Sequence, residues 1–356
     1  MSFRFGDKIV SYRSYDPREW LIVPPSSRIT IQDIAQSVHV PVDQVTKVIL
    51  GQPGVSEDLR HMVFNALQEA GLVRLSPETK QGTIGVVVPG IVDNYVGEVV
   101  RGIADAAKDQ HYSLLFNVQY TTHEDDLDQL LRPGGCDGVV SVVPNNIERL
   151  VDLCRLYGRP YVLVEHQGDD EVEDMLNIEV NNREGILAVM QHLLELGHRR
   201  IAFLTGGMRL ISARERLQGY EEALYRAGIP YDPALVGEGD WGHESGYAFA
   251  KAVLQLEDRP TAIVASNDQM AFGVIQAARQ SGLEIPFDLS ITGFDDIAMA
   301  STVNPPLTTV RQPMYQIGQL ALDMLIKRMT GETIRQPRVR LDTELVIRDS
   351  TGPVPR

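Results

Sequence analysis

The chain has 356 residues, 43% of them hydrophobic, and a formal net charge of −15 at pH 7. This length allows two or three domains with buried cores. The acidic balance excludes a protein that coats nucleic acid over its whole surface, although a small basic module can still sit in an acidic chain.

The first twenty residues contain no apolar h-region of a secretory signal, and no apolar run approaches 18 residues. The two cysteines, Cys136 and Cys154, lack metal-ligand spacing and indicate a reducing compartment. We therefore expect a soluble, cytoplasmic protein.

Residues 1–27 show no clean periodicity and are predicted to be an N-terminal extension, either a flexible arm or a strand added to another element. Residues 28–72 are predicted to form three short helices, with Thr30 capping the first and Ser56 capping the third. Two short helices joined by a tight turn, with a third in support, are typical of a helix-turn-helix. The third helix has an apolar stripe formed by Leu59, Met62, Val63, Ala66, Leu67 and Ala70.

Residues 73–82 are polar, contain Pro77 and are predicted to be a linker. From Thr83 onward, apolar runs rich in Val, Ile and Leu alternate with helical patterns. Such runs are typical of parallel strands that are covered on both faces. There are enough strand-helix units in residues 83–356 for two sheets, which predicts an α/β core.

Short polar side chains follow three apolar runs near the end of this region. They are Asn267, Asp295 and Gln312. Because parallel strands end at one edge of their sheet, where open α/β sheets bind ligands, these side chains are candidates to converge on one polar ligand. The alternative is that Asn267 and Asp268 only cap the following helix.

Motifs for enzymatic chemistry are absent from the sequence. It contains no phosphate-binding glycine loop, no H-E-x-x-H and no G-x-S-x-G, so no cofactor and no catalytic metal are expected. Glu165-His166 is an acid/base candidate without a nucleophile beside it, so a ligand contact or a loop is favoured. Asp295 and Asp296 are adjacent on a strand and point to opposite faces. An enzyme is therefore the weakest interpretation.

A series of motifs, in order, resembles the LacI/GalR family of transcriptional regulators over nearly all of the chain after Ser27. The motifs are TIQDIAQSV at 30–38, VSEDLRHMVFNALQEAGL at 55–72, TIGVVVP at 83–89, EVVRGIADAAKDQHYSLL at 98–115, HLLELGHRRIAFLTG at 192–206, SARERLQGY at 212–220, EGDWGHESGY at 238–247, PTAIVASNDQMAFG at 260–273, TGFDDIA at 292–298 and PPLTTVRQP at 305–313.

The resemblance implies a helix-turn-helix head, a hinge and a two-lobed core like a periplasmic sugar-binding protein. Its first lobe would span about 83–180 and 313–340, and its second about 181–312 and 341–356. It also implies a homodimer whose affinity for operator DNA changes when a small molecule, usually a sugar, closes the cleft. The effector-binding residues expected on this basis are Asn94, Tyr95, Arg216, Trp241, Asn267, Asp295 and Gln312. The strand-end residue Glu165 is a further candidate for an effector contact.

The head departs from the family pattern at several positions. Pro41 removes a hydroxyl that would contact phosphate, Asp43 stands at a base-reading position, and Lys47 replaces an arginine. Residues 28–82 contain five basic and six acidic residues, a net charge of −1, whereas phosphate binding favours a positive surplus. The DNA-binding residues expected here are Thr30, Val42, Asp43, Gln44, Thr46 and Lys47.

The linker also differs, because it lacks the family's alanine-rich hinge and offers only Leu75 as a minor-groove wedge, with Pro77 disfavouring a helix. The sequence therefore predicts a dimeric regulator that senses a sugar or related polyol and binds DNA through an atypical head. The alternative is a small-molecule-binding protein whose head no longer binds DNA specifically and acts by protein contact.

Overall fold

The computed structural model describes residues 2–5, 8–11, 30–49, 54–70, 82–90, 94–119, 125–144, 146–166 and 175–355. They belong to two compact units, residues 1–79 and residues 80–356. The expectations for the rest of the N-terminal extension and for the linker, including Leu75 and Pro77, lie outside the described residues.

The first unit contains an antiparallel hairpin and a three-helix head. The hairpin consists of β1 (Ser2–Phe5) and β2 (Lys8–Ser11). The head consists of α1 (Ile31–Ser37), α2 (Val42–Ile49) and α3 (Glu57–Glu69). Thr30 caps α1 in a reciprocal capping box with Asp33.

The predicted caps and core of the head are largely confirmed. The Leu59 amide donates to Ser56 Oγ at 3.3 Å at the start of α3. Val45, Val48 and Val63 are fully buried where the three helices meet. The prediction for Met62 was wrong, because its side chain is 47% exposed. Two short partner helices cover only a narrow face of α3, which Val63 already occupies.

The second unit alternates strands and helices. In chain order its elements are β3 (Gly82–Val88), α4 (Asn94–Asp109), β4 (Tyr112–Val118), α5 (Asp125–Leu131), β5 (Gly138–Val142), α6 (Ile147–Leu156), β6 (Tyr161–Val164), β7 (Leu176–Val180), α7 (Asn182–Glu195), β8 (Ile201–Thr205), α8 (Ile211–Arg226), β9 (Val236–Glu238), α9 (His243–Val253), β10 (Ala262–Ala265), α10 (Asp268–Gln280), β11 (Ser290–Thr292), β12 (Thr309–Arg311), α11 (Met314–Met329), β13 (Arg338–Leu341) and β14 (Glu344–Val346).

Two parallel sheets define two lobes, as the predicted fold class requires. The first sheet has the order β13-β7-β6-β5-β3-β4, and the second has the order β11-β10-β8-β9. All of their strand pairs are parallel, while β12 and β14 form a separate antiparallel pair. We call the elements around the six-stranded sheet the first lobe and those around the four-stranded sheet the second lobe.

The chain passes between the two lobes three times. One passage leads from β12 into α11, and the other two lie side by side at Asn181, which follows β7, and at Asp342, which follows β13. Asn181 Nδ2 donates to Asp342 Oδ1 at 2.5 Å, and the Asn181 amide donates to the Leu341 carbonyl at 2.9 Å. Thr343 Oγ1 donates to the Asn181 carbonyl at 3.3 Å. These two passages are therefore tied together, and we call them the hinge.

The apolar face of α7 is buried inside the second lobe. Ile186, Val189 and Leu193 are fully buried in one cluster with Phe203 and Tyr220. None of the described helices is long and apolar enough to cross a membrane.

Candidate functional site

Arg216 on α8 is the central side chain of the candidate site. It is only 2% exposed. Its Nε donates to Asn182 Oδ1 at 2.9 Å and its Nη1 donates to the Ser266 carbonyl at 2.5 Å. Its guanidinium carbon lies 3.7 Å from the ring centroid of Phe294 and 5.5 Å from that of Trp241. The guanidinium is thus held in one orientation by hydrogen bonds and aromatic faces.

Trp241 lies beside Arg216 on the loop between β9 and α9. Its φ is +69°, an uncommon value for a bulky residue. A Cβ atom added to Gly206, after β8, would lie 2.0 Å from Trp241 Cζ2. The indole therefore packs directly on the backbone at the carboxyl end of β8, which only glycine permits there.

Asn267 caps α10, as the alternative interpretation predicted. Its Oδ1 accepts from the Met270 amide at 2.9 Å, and its Nδ2 donates to the Trp241 carbonyl at 3.0 Å. The same side chain therefore anchors the loop that carries Trp241. This bond takes one of the two amide hydrogens on Nδ2, so capping and a ligand role are compatible.

Asp295 and Gln312 are brought together, as expected from their strand-end positions. Gln312 Nε2 donates to Asp295 Oδ1 at 2.7 Å, and both side chains are buried. Asp295 has a φ of +126°, a strained value for a non-glycine residue and one that tends to occur at functional sites. Gln312 Oε1 is buried without a hydrogen-bond partner among the described residues. Beside Asp295 the site therefore holds a buried acceptor atom.

The first lobe contributes Tyr95 from the start of α4 and Glu165 from the end of β6. The Glu165 carboxylate lies close enough to the Tyr95 hydroxyl to act on it. Burial raises the Tyr95 pKa well above its usual value, the negative charges of Glu165 and Asp295 raise it further, and Arg216 opposes them. Groups from both lobes therefore act on one buried phenol. Asn94 lies next to Tyr95, at the exposed first residue of α4.

Two pairs of adjacent titratable residues, Asp295-Asp296 and Glu165-His166, each have their two side chains in different environments. Asp296 does not share the surroundings of Asp295, because it accepts from Arg311 Nε at 2.7 Å and from Arg348 Nη2 at 2.6 Å. His166 Nδ1 lies 3.2 Å from Glu179 Oε1, away from the contact between Glu165 and Tyr95. Neither pair forms a shared acid/base centre.

Asp268, adjacent to the capping Asn267, is fully buried. It accepts from Thr309 Oγ1 at 2.5 Å and from the Ile297 amide at 2.9 Å. Burial raises its pKa from 3.8 to about 7, against the lowering effect of these hydrogen bonds. Its contacts tie α10 to β12 and to the loop after Asp296, which marks it as a structural group behind the site.

Two residues that hydrogen-bond to Arg216, Asn182 and Ser266, were not predicted from the sequence. Asn182 is the first residue of α7 and is buried. A signal was present, since an amide side chain two residues after a strand can orient a neighbouring group. Ser266 contributes its backbone carbonyl, which no side-chain pattern reveals.

The described residues contain no group of three or more His, Cys, Asp or Glu side chains placed to hold a metal ion. Cys136 and Cys154 are free thiols, and both are buried. Burial raises the pKa of the Cys154 thiol to about 12, which makes it a poor nucleophile.

The predicted DNA-contacting residues lie on α2 and at the start of α1. Val42 is 43% exposed, and Asp43 is exposed beside it, whereas Gln44 is half-buried. Lys47 Nζ lies 3.9 Å from Asp43 Oδ2, so the one cation of α2 has an acid one turn before it. Two hydroxyls are engaged locally, because Thr30 caps α1 and Thr46 Oγ1 donates to the Val42 carbonyl at 2.8 Å.

Comparison with known proteins shows the family to which this chain belongs. A family profile described as a periplasmic binding protein-like domain matches residues 190–351. Catabolite control protein A of Priestia megaterium is 30% identical over 331 residues, covering 91% of this chain and 99% of that protein. The ribose operon repressor of Escherichia coli K12 is 32% identical over 333 residues, covering 90% and 99%. The chain belongs to the LacI family of transcriptional regulators.

Solved structures of LacI-family proteins agree with this assignment. A complex of the transcriptional regulator CelR with cellobiose has a TM-score of 0.72 and 30% identity, and the match covers 91% of this chain and all of that chain. The lac repressor dimer bound to operator and an anti-inducer has a TM-score of 0.68 and 25% identity, covering 92% of this chain and all of that one. Both the head and the core of this LacI-family member therefore have counterparts in regulators of known structure.

Proposed function

We propose that the protein is a transcriptional repressor that binds operator DNA through residues 28–72 and is controlled by a sugar or related polyol bound between its lobes. The observation that carries this proposal is that charged groups of both lobes, Glu165 of the first and Arg216 and Asp295 of the second, act on the buried Tyr95 hydroxyl of the first lobe. A molecule bound there touches both lobes, so its binding energy can favour one arrangement of the lobes over another.

The chemistry of the site supports a hydroxylated effector. Arg216 presents a fixed fork of donors, Asp295 accepts from hydroxyls, and Gln312 offers a buried acceptor. Trp241 provides an aromatic face suited to the apolar side of a sugar ring. We assign effector contacts to these residues and to Asn94, Tyr95, Glu165 and Asn267.

The relatives support the same class of effector and the same type of target. One structural neighbour is a complex with cellobiose, one relative is named as a ribose operon repressor, and another neighbour is a dimer bound to operator. By analogy, we assign this chain a homodimer, an operator target and a cytoplasmic location, and we assign it no catalytic role. Light scattering of the full chain tests the dimer, and a monomer at micromolar concentration contradicts it.

A second candidate function is supported by the head itself. The pairing of Asp43 with Lys47 and the net charge of −1 over residues 28–82 disfavour strong phosphate contacts. A protein with an intact effector site and a head that acts by protein contact would have both features. Specific binding to duplex DNA distinguishes the repressor from this alternative.

A thermal-shift screen of the full chain against neutral mono- and disaccharides tests the effector site. A ligand that binds the folded state raises the melting temperature in proportion to the logarithm of its concentration above the Kd. Arg216→Lys is the matched variant, because it keeps the charge and loses the fork. We expect at least one sugar to stabilise the wild type and to lose most of that effect in the variant. A stabilising sugar that acts equally on both proteins places the site elsewhere.

A further inference from the structure

A chain of hydrogen bonds connects Arg216 to the first lobe through the hinge region. Arg216 Nε donates to Asn182 Oδ1 at 2.9 Å, and Asn182 Nδ2 donates to Glu215 Oε2 at 3.2 Å. Glu215 Oε1 accepts from Arg340 Nη2 at 2.9 Å, and the same nitrogen donates to Glu179 Oε2, also at 2.9 Å. One guanidinium nitrogen therefore bridges two carboxylates.

The two carboxylates belong to different lobes. Glu179 lies on β7 of the first sheet, and Arg340 lies on its neighbour β13, paired with Glu179 in register. Glu215 lies on α8 of the second lobe, directly before Arg216. The contact between Arg340 and Glu215 thus crosses between the lobes, two residues before the hinge residue Asp342.

The partners of Asn182 fix the orientation of its amide. Its nitrogen faces two acceptors, Glu215 and the Val180 carbonyl at 3.3 Å, whereas its oxygen faces the Arg216 donor. Reversing the amide would set oxygen against the Glu215 carboxylate and nitrogen against the guanidinium. Glu215 and the Val180 carbonyl therefore both hold the Asn182 oxygen toward Arg216.

The two carboxylates of this hydrogen-bond chain are largely shielded from solvent. The side chains of Glu179 and Glu215 are 18% and 17% exposed, although Arg340 is 48% exposed. Hydrogen bonds from His166 and Arg340 lower the Glu179 pKa to about 2, against the effect of burial, so Glu179 stays ionised and anchors Arg340 on the first lobe. Glu179, which holds Arg340, and Glu215, which contacts Asn182, thus lie in different lobes.

We propose that Glu215 and Arg340 are positioning residues that couple the arrangement of the two lobes to the orientation of Arg216 in the effector site. Separation of the lobes at the hinge pulls Arg340 from Glu215 and loosens Arg216. An effector that fixes Arg216 favours the arrangement in which the bridge is closed. This coupling gives the proposed function a physical route from ligand to lobe geometry, and it rests on that function only where an effector is involved.

Trp241 provides a ligand-free readout of Arg216. The chain has two tryptophans, and Trp20→Phe leaves Trp241 as the only one. In this background of the full chain, Arg340→Met removes the bridge and keeps the apolar stem of a largely accessible side chain. Glu215→Gln weakens the other end, and Arg340→Lys restores a cation.

The matched control is Glu222→Gln, also on α8. Glu222 accepts a hydrogen bond from Nε of Arg183, the residue after Asn182, at 2.7 Å. Glu222 is not part of the hydrogen-bond chain that reaches Arg216. The substitution Glu222→Gln therefore removes a comparable ion pair from the same helix. All variants are compared at a temperature well below their own unfolding transitions, so a loss of stability alone does not enter the spectrum.

We expect Arg340→Met and Glu215→Gln each to shift the Trp241 emission to longer wavelength and to increase its quenching by acrylamide. The double variant should resemble the single ones, because both break one chain. Arg340→Lys should recover most of the wild-type spectrum, and Glu222→Gln should leave it unchanged. An unchanged spectrum in Arg340→Met, or an equal shift in Glu222→Gln, overturns the proposal.

A binding measurement separates this proposal from the function it builds on. For any sugar found by the thermal-shift screen, Arg340→Met should weaken binding roughly fivefold to tenfold, the lower end of the usual coupling between two sites. Unchanged affinity for that sugar overturns the coupling while leaving the effector site intact. A screen in which no sugar binds refutes the proposed effector, and the Trp241 spectra still decide the coupling.

Discussion

Asp43 and Lys47 lie one helical turn apart on α2, with the carboxylate and ammonium groups 3.9 Å from each other. Both side chains are well exposed, at 66% and 43%. An exposed pair of this kind contributes little to stability. It does, however, place a negative charge beside the one cation on the helix that is expected to enter the DNA groove. We therefore expect the pair to weaken DNA binding more than it stabilises the head.

Asp43→Asn should strengthen binding to duplex DNA, because Lys47 is then free to contact a phosphate. One added phosphate contact steepens the dependence of log Kd on log salt by about 0.9. Mobility-shift titrations from low to moderate salt measure this slope. Glu69→Gln, on α3, is the control with the same change in charge. An equal gain in the control would mean that only net charge matters.

Lys47→Ala should weaken DNA binding more than Leu75→Ala does. Lys47 is the one basic residue of α2, whereas Pro77 disfavours the hinge helix that would insert Leu75 into the minor groove. The two variants are compared by mobility shift on the same duplex. Nanomolar binding that collapses in Leu75→Ala and survives in Lys47→Ala would show that the linker forms a family-type hinge.

Sugar phosphates should bind more weakly than the corresponding neutral sugars. Glu165 and Asp295 both act on the Tyr95 hydroxyl, while the nearby cation Arg216 already donates to Asn182 and Ser266. A phosphate would therefore face two carboxylates and only one guanidinium, and the like charge left uncompensated costs tenfold or more, on the order of 1.4 kcal/mol.

Isothermal titration with a binding sugar and its phosphate measures the difference. Glu165→Gln removes one of the two charges with little change in shape and should narrow the gap between the two ligands. A phosphate ester that binds more tightly than its parent sugar in the wild type contradicts this description of the charge in the site.

The raised pKa of Asp268 predicts a specific dependence of stability on pH. Burial raises this pKa from 3.8 to about 7, so between those values the folded state holds a proton that the unfolded state releases. Stability from this group is complete below pH 3.8 and is lost as the pH rises toward 7. Relative to Asp268→Asn, which cannot titrate, the wild type should lose on the order of 2 kcal/mol between pH 5 and pH 8.

Urea unfolding of both proteins at several pH values measures this difference. The subtraction removes groups that titrate alike in both proteins, such as His198, whose pKa burial lowers. A difference in unfolding free energy that stays constant from pH 5 to pH 8 would mean that the folded state holds Asp268 ionised.

Local signals in the sequence predicted much of the fold. Thr30 and Ser56 cap helices because their hydroxyls accept from amides within three residues, which sequence alone reveals. The positions of Asp295 and Gln312 after strand ends predicted that the two side chains meet, and they hydrogen-bond to each other. By contrast, β13 has alternating arginines and only two apolar residues, so its place in the first sheet depends on pairing with β7.

The network behind the candidate site was beyond the sequence for a similar reason. Arg216 was expected as a ligand residue, but its bonds to Asn182 and to the Ser266 carbonyl depend on three elements meeting in space. The bridge from Arg340 to Glu215 joins residues 125 positions apart. Neither local propensity nor periodicity contains information about such distant pairs.

We propose that a molecule bound at Arg216 controls binding of the head to DNA. The direct test selects bound sequences from a random duplex library with the full chain, then measures affinity for the selected duplex with and without the sugar found by thermal shift. We expect sequence-specific binding whose Kd changes about tenfold with the sugar in the wild type and not in Arg216→Lys. Failure to enrich any sequence, or a Kd that the sugar leaves unchanged in the wild type, would contradict the account.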